Sequence, residues 1–260
     1  MAAITGDSTR QLLNQVSSSH SRLELWSEFI RGAQVERMAE VGVYQGDFAA
    51  SVLEHCESVT RYYLIDPWRH LDDWNKPMNQ DDQVFERFFE AAKAKTDFAG
   101  TRRVFLRGKT TEVIDQIADD ELDFAYIDGD HTLKGITVDL IRVYPKVRMG
   151  GFIGGDDFSR TMWQHKTNFE PTLVFPFAVY FAEAVGATIY ALPYMQFCLQ
   201  KTSEPHFSFV DLTGQYEELG LRNQLAPEKL LKISLSERFP ALTRIARKAK
   251  ELISERSEFR

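Results

Sequence analysis

Short apolar runs alternate with longer stretches of helical periodicity over the first two hundred residues, a rhythm that predicts a βαβ chain built on a parallel sheet. Strands are expected at Arg37 to Val43, Arg61 to Ile65, Arg103 to Leu106, Leu122 to Ile127 and Gly151 to Gly155. Helices are expected at Phe48 to His55, Asp82 to Lys95, Thr111 to Ala118 and Leu133 to Lys146, where apolar positions recur at helical spacing. After Pro176 an apolar helix, Phe177 to Val185, runs to Gly186. Ala187 to Leu192 and Met195 to Lys201 then face each other across Pro193 and Tyr194, the pattern of an antiparallel hairpin. The sum is an α/β fold: a mostly parallel seven-stranded sheet, a terminal hairpin, and helices on both faces.

Beyond Thr202 the pattern breaks up, because Pro205, Gly214, Gly220, Pro227 and Pro240 cut the chain into short pieces. Its end regains helical spacing at Leu242, Ile245, Ala246, Ala249, Leu252 and Ile253, with Arg244, Arg247, Lys248 and Lys250 between them. This divides the chain into a helical extension (1–34), a central domain (35–201) and a partly helical accessory segment (202–260). Helical extensions at both ends make a homo-oligomer reasonable without fixing the oligomeric state.

The 260 residues and 43% hydrophobic content suffice for a sizeable core. A formal net charge of -7 disfavours nucleic acid, which needs clustered Lys and Arg. Cys56 and Cys198 form no metal-binding or CxxC spacing, which fits a reduced, cytoplasmic setting. The first residues lack the basic start and apolar stretch of a signal peptide, and no apolar run approaches the roughly twenty residues of a membrane span. These features point to small-molecule chemistry in a soluble protein.

Glu40-Val-Gly-Val-Tyr-Gln-Gly46 closes the first strand and opens a helix, where an α/β sheet cradles nucleotide-like ligands. The loop comprises Gly42, Val43, Tyr44 and Gly46, and Asp66 at the end of the second strand is suited to accept ribose hydroxyls. Tyr44 replaces the middle glycine of a dinucleotide loop and Glu40 adds negative charge, which disfavours a pyrophosphate and a nicotinamide reductase. A cationic nucleoside such as S-adenosylmethionine suits the loop better. Gly108-Lys-Thr110 lacks the first glycine of a phosphate-binding loop.

Two further strands end in acid: Asp128 and Asp130 after the fourth, Asp156 and Asp157 after the fifth. Parallel neighbours bring such ends to one rim, where carboxylates repel unless a cation joins them. Asp128, Asp156 and Asp157 are therefore candidate ligands for Mg²⁺, with Ca²⁺ or Mn²⁺ as alternatives. His131 is positioned to take a proton, and Asp130 to cap the helix that follows. Trp68, Arg69, His70, Trp74 and Lys76 form a lid or acceptor wall, or merely anchor their loop; Trp163 and His165 form a second wall, with His165 as reserve base.

In these residues the chain resembles the class I S-adenosylmethionine-dependent methyltransferases, with Glu40-x-Gly42-x-x-x-Gly46 as first motif and Ile65-Asp66-Pro67 as second. It is most similar to small-molecule O-methyltransferases of the macrocin and mycinamicin type, over residues 35–201, through Tyr126-Ile-Asp-Gly-Asp-His131 and Gly150-Gly-Phe-Ile-Gly-Gly-Asp-Asp157. The resemblance implies a Rossmann-like fold and cofactor contacts from Glu40, Gly42, Asp66 and Asp128, with Gly108, Lys109 and Thr110 near the adenine. Lys109 departs from the acidic residue these enzymes often carry there. It also implies a metal held by an aspartate and a following acidic pair, with a histidine or aspartate as base. The expected acceptor is a hydroxyl of a small molecule such as a sugar or glycosylated natural product. A metal-independent methyltransferase and a non-catalytic S-adenosylmethionine-binding module are the alternatives.

Overall fold

The computed structural model describes residues 6–216 and 224–240. The expected helix from Leu242 to Ile253 lies outside them. Two helices, α1 (Gly6–Val16) and α2 (Arg22–Gly32), precede the sheet. Then follow β1 (Arg37–Val41), α3 (Asp47–His55), β2 (Arg61–Asp66), α4 (Asp82–Lys95), β3 (Arg103–Arg107), the single turn α5 (Thr110–Val113) and β4 (Leu122–Ile127). The chain continues through α6 (Leu133–Val143), β5 (Val147–Gly155), α7 (Val174–Val185), β6 (Thr188–Leu192), β7 (Gln196–Gln200), β8 (Ser208–Asp211) and α8 (Pro227–Arg238).

The sheet has eight strands in the order β3-β2-β1-β4-β5-β7-β6-β8. The first five are parallel, β7 runs antiparallel to both β5 and β6, and β8 is parallel to β6. The expected count of seven is thus corrected to eight: Ser-Phe-Val-Asp after His206-Phe207 adds an edge strand that the Pro- and Gly-broken tail pattern hid. Pro176 lies inside the first turn of α7, where its missing N–H costs no helical bond, so this helix starts earlier than expected.

Period-two alternation along buried strands sorts the core into two layers. Met38, Tyr62, Phe124, Tyr126 and Phe152 face α1 to α4, while Ala39, Val41, Ile65, Ile127 and Ile153 face α5, α6 and α7. Helix α2 belongs fully to the first layer. Its Trp26 is buried against Phe29 (ring centroids 5.6 Å) and Tyr126 (5.5 Å), and its indole N–H donates to Gln196 Oε1 at 2.8 Å. The indole reaches the sheet because Gly154 lies beneath it; a Cβ at that position would overlap the ring.

The order places β1 beside both β2 and β4, so successive crossovers leave β1 in opposite directions and open a crevice at its carboxyl end. There the loops after β1, β2, β4 and β5 are joined by backbone bonds: Gly42 N to Ile65 O (2.9 Å), Asp128 N to Val41 O (2.7 Å) and Asp156 N to Ile127 O (3.0 Å). Cys56 and Cys198 are free, buried thiols. No helix among the described residues is long and apolar enough to cross a membrane.

Trp26 anchors α2 by both packing and a buried hydrogen bond, so Trp26→Ala should cost about 3–5 kcal/mol of unfolding free energy. Urea unfolding followed by circular dichroism checks this; a loss below about 1 kcal/mol would mean that α2 is not held through the indole.

Candidate active site

At the end of β1 the chain turns through left-handed backbone at Gly42 (φ +90), Tyr44 (φ +53) and Gly46 (φ +78). Gly42 is required by close approach as well, since a Cβ there would overlap the Asp128 carbonyl. The glycine loop and the acid loop therefore touch through backbone alone. Asp66 shapes the first of them: its Oδ2 accepts from Val43 N (3.0 Å) and Tyr44 N (2.9 Å), and its Oδ1 from Trp68 N (2.8 Å). Burial pushes this carboxyl up to about 6 against the opposing pull of those three amides. With two lone-pair positions on each oxygen, Asp66 retains one acceptor for a ligand hydroxyl, where both ribose hydroxyls were expected.

Glu40 is buried on β1 and accepts from Tyr62 Oη at 2.8 Å. Burial raises its pKa well above the ordinary carboxylate value, and the charges of Asp128 and Asp66 push the same way. An incoming cationic group would relieve all three. On the other side of Asp66, Gly108 N donates to the Asp66 carbonyl at 3.0 Å, and the exposed Lys109 lies beside Glu112, 3.9 Å away. Glu112 is shared with Arg69 at 2.7 Å, so the unexpected lysine charge has a local partner. Thr110 is buried and donates to Asp139 Oδ1 at 2.5 Å.

The acid rim stands next to this loop. His131 lies between two carboxylates: Nδ1 faces Asp157 Oδ2 in close contact, and Nε2 lies 3.3 Å from Asp128 Oδ1 without hydrogen-bonding geometry, a buried nitrogen lacking a donor or acceptor partner. Burial lowers the imidazole pKa, but pairing with the carboxylates of Asp128 and Asp157 outweighs it and raises it to about 10. Asp157, in left-handed backbone (φ +55), gives its other oxygen to Gln164 Nε2 at 3.0 Å.

Asp128 and Asp156 share a different cation. Arg22 Nη1, from the first residue of α2, lies 3.1 Å from Asp128 Oδ2 and in close contact with Asp156 Oδ2. Asp156 Oδ1 accepts from Gln196 Nε2 at 2.5 Å and from Asp157 N at 2.7 Å. Gln196 in turn accepts on Oε1 from Tyr126 Oη (2.7 Å) and Trp26. Burial, then the charge of Asp128, hold Asp156 up at about 6 despite Arg22. The arrangement expected from the sequence, with Asp157 joining Asp128 and Asp156 around one point, is replaced by two pairings, Asp157 with His131 and the other two with Arg22. Among the described residues no group of three His, Cys, Asp or Glu side chains is disposed to hold a metal ion.

The flanking walls are tied to each other. Trp68 is wholly buried and donates to Tyr44 O at 2.8 Å, so it anchors the loop rather than facing an acceptor. Trp74 donates to Asp130 Oδ1 at 3.0 Å, the same oxygen that accepts from Thr132 N; the cap of α6 expected of Asp130 is instead Thr132, whose hydroxyl accepts from Gly135 N at 3.1 Å. Lys76 is buried and donates to Glu170 O (2.8 Å) and Pro171 O (3.3 Å), joining the two walls. His70 is held at Gln80 O (3.0 Å) and Asp82. Trp163 donates to Gln224 O at 3.2 Å. His165, whose pKa is lowered by burial and then by Lys76, borders the Asp157 side of the rim.

Sequence reasoning missed Arg22, Gln196, Gln164 and Asp139. Gln196 carried a readable signal, an amide at the start of an otherwise apolar strand, which must find partners when buried. Arg22 carried none, being 106 residues from Asp128 and placed only by the packing of α2.

Comparison with known proteins bears on this site. Residues 39–158 match the family described as "Methyltransferase domain". No curated protein sequence matches the chain. In structure it is similar to a protein described as a caffeoyl-CoA O-methyltransferase from Staphylococcus aureus (TM-score 0.52, 13% identity, covering 75% of this chain and 90% of that one). It is also similar to the cofactor-bound Rv0187 from MTB (0.50, 14%, 76% and 89%) and to the O-methyltransferase TomG from Streptomyces achromogenes in complex with SAM (0.48, 14%, 77% and 92%). At such identities the first two likenesses concern the fold. The matched span contains Glu40, the glycine loop, Asp66 and the carboxylates and imidazole of the acid rim, with Arg22, Gln164 and Gln196 outside it, so the residues of this site lie within a methyltransferase domain.

Proposed function

We propose that the protein transfers the methyl group of S-adenosylmethionine to a hydroxyl oxygen of a small molecule, such as a sugar or glycosylated natural product of the macrocin or mycinamicin class. The observation that carries this is the backbone contact between Gly42 and Asp128, which sets the cofactor loop directly against carboxylates and an imidazole suited to activating a hydroxyl. Glu40 receives the cofactor's ammonium, and Asp66, with its one remaining acceptor, a ribose hydroxyl; Val43, Tyr44 and Gly46 shape that cradle, and Gly108, Lys109 and Thr110 border the adenine.

In the transfer the acceptor oxygen attacks the methyl carbon, the carbon–sulfur bond breaks with its electron pair going to sulfur, and the hydroxyl proton leaves to a base. His131 is that base. Asp157 orients it through Nδ1, and the unpartnered Nε2 is the nitrogen left to meet the acceptor, the division of roles seen wherever a carboxylate steers an imidazole. Asp128 and Asp156, hard oxygen donors already bridged by one positive group, would hold a divalent cation such as Mg²⁺, which takes few protein ligands and keeps its waters. When bound it supplies a Lewis acid that lowers the acceptor's pKa; Asp157 would join it only by leaving His131. Arg22 favours a second reading, transfer without a metal, because its guanidinium already bridges both carboxylates.

Asp156→Ala should reduce kcat/KM for methyl transfer by about 10²-fold or more while changing the S-adenosylmethionine Kd less than about threefold. Isothermal titration beside a methyl-transfer assay separates the two; equal losses would end the proposed division between cofactor and acceptor groups.

The raised His131 pKa means that the neutral imidazole becomes more abundant as pH climbs towards about 10, so wild-type kcat/KM should rise over that range. His131→Ala should lower the rate at neutral pH by about 10²–10⁴-fold, with partial recovery at high pH. Asp157→Asn, which removes a carboxylate that retains the proton, should move the midpoint of the rise to lower pH. An unmoved midpoint would transfer the role of base to His165.

Burial keeps Glu40 protonated beyond the normal carboxylate range, and a cationic ligand favours its ionised form. Cofactor binding should therefore release protons and strengthen as pH rises. Calorimetry in buffers of different ionisation enthalpy measures the release, which Glu40→Gln should abolish.

A further inference from the structure

We propose that Arg22 is a built-in competitor for the divalent cation of the acid rim, so that the guanidinium and the ion occupy Asp128 and Asp156 in turn. This rests on the metal reading given above and adds the residue that controls it. The argument comes from which oxygens are free. Asp156 Oδ1 is saturated by Gln196 Nε2 (2.5 Å) and the Asp157 amide (2.7 Å), leaving Oδ2 as its ligand atom. Asp128 Oδ1 is turned toward the His131 ring, 3.3 Å from Nε2, without a hydrogen bond, so Oδ2 is the oxygen that faces away from that positive group. Those two Oδ2 atoms are the pair on which Arg22 Nη1 sits. An ion using them cannot coexist with the guanidinium, both because the space is shared and because like charges at contact distance repel.

The scaffold allows the exchange. Arg22 is the first residue of α2 and its side chain is 36% exposed, whereas the helix is held further along by Leu25, Trp26, Phe29 and Ile30, all buried. The side chain can turn outward while the helix stays docked. Without the ion, the guanidinium prevents two adjacent, partly buried carboxylates from standing uncompensated. Metal affinity is then set by the difference between two cations on one pair of oxygens.

The test is Mn²⁺ binding to the full chain, measured by titration calorimetry and electron paramagnetic resonance, in wild type and in Arg22→Met. Arg22→Met should lower the Mn²⁺ Kd about tenfold or more, since a competing positive charge has gone. An equal or weaker affinity would overturn the competition while leaving the metal reading intact; absence of Mn²⁺ binding in both proteins would overturn the metal reading and the proposal with it. A measurement on the wild type does not depend on how the variant folds. Phenylglyoxal labelling of Arg22, read by peptide mass spectrometry, should increase several-fold when Mn²⁺ is added, and unchanged or reduced labelling would again refute the exchange.

Discussion

Repulsion among carboxylates at the carboxyl edge of the sheet is the constraint around which this molecule is arranged. Parallel strands deliver Asp128 and Asp156 to one rim whatever the rest of the chain does, because register pairs Ile127 with Gly155 immediately before them. Such a pair needs positive charge and donors within reach. Helix α2 supplies Arg22, β7 supplies Gln196, and the loop after β4 supplies His131. Trp26 and Tyr126 then meet on the far side of the Gln196 amide, so the polar rim is continuous with the apolar layer beneath it. The placement of α2 and the electrostatics of the rim are one problem with one solution.

The alternation of apolar runs made the parallel core legible in the sequence, since β1, β2, β4 and β5 are mostly buried on both faces and read as near-continuous apolar runs, while β3 at the sheet edge is mostly half-buried. The hairpin was legible through Pro193 and Tyr194. Strand β8 was not, because Ser208 to Asp211 is half-buried, and its pairing with β6 is set by tertiary contact rather than by pattern. Among site residues, the acids and the glycine loop announced themselves by type and position. Their partners did not: which cation meets which carboxylate depends on α2 arriving from more than a hundred residues away. The spacing of Asp128, Asp156 and Asp157 therefore implied a common ion, whereas the packed chain divides them between an arginine and a histidine.

Asp66 illustrates how one residue type can satisfy a motif and still play a different part. A carboxylate at the end of β2 reads as a ribose ligand, yet three backbone amides already converge on it. Those bonds hold Tyr44 and Trp68 in left-handed backbone, conformations that non-glycine residues adopt only at a cost of about 1–3 kcal/mol each. The glycine loop is thus pre-shaped before any ligand arrives, and a preformed loop loses less entropy on binding.

The same crowding of acid determines what kind of ligand the crevice accepts. Glu40, Asp66 and Asp156 are all pushed up chiefly by burial, and Asp128 or Asp66 adds to the pressure on its neighbours. Against them the site sets Arg22 and His131, with Arg107 acting on Asp66. A phosphate-bearing cofactor would add negative charge to a site where burial already disfavours the ionised form of these carboxyls. A ligand with an ammonium and a sulfonium instead lets those carboxyls ionise and gains their attraction as it does so. Tyr44 in place of a glycine closes the geometric route to a pyrophosphate, and the field of the buried acids closes the electrostatic one, so loop shape and charge select the same donor by separate physical means.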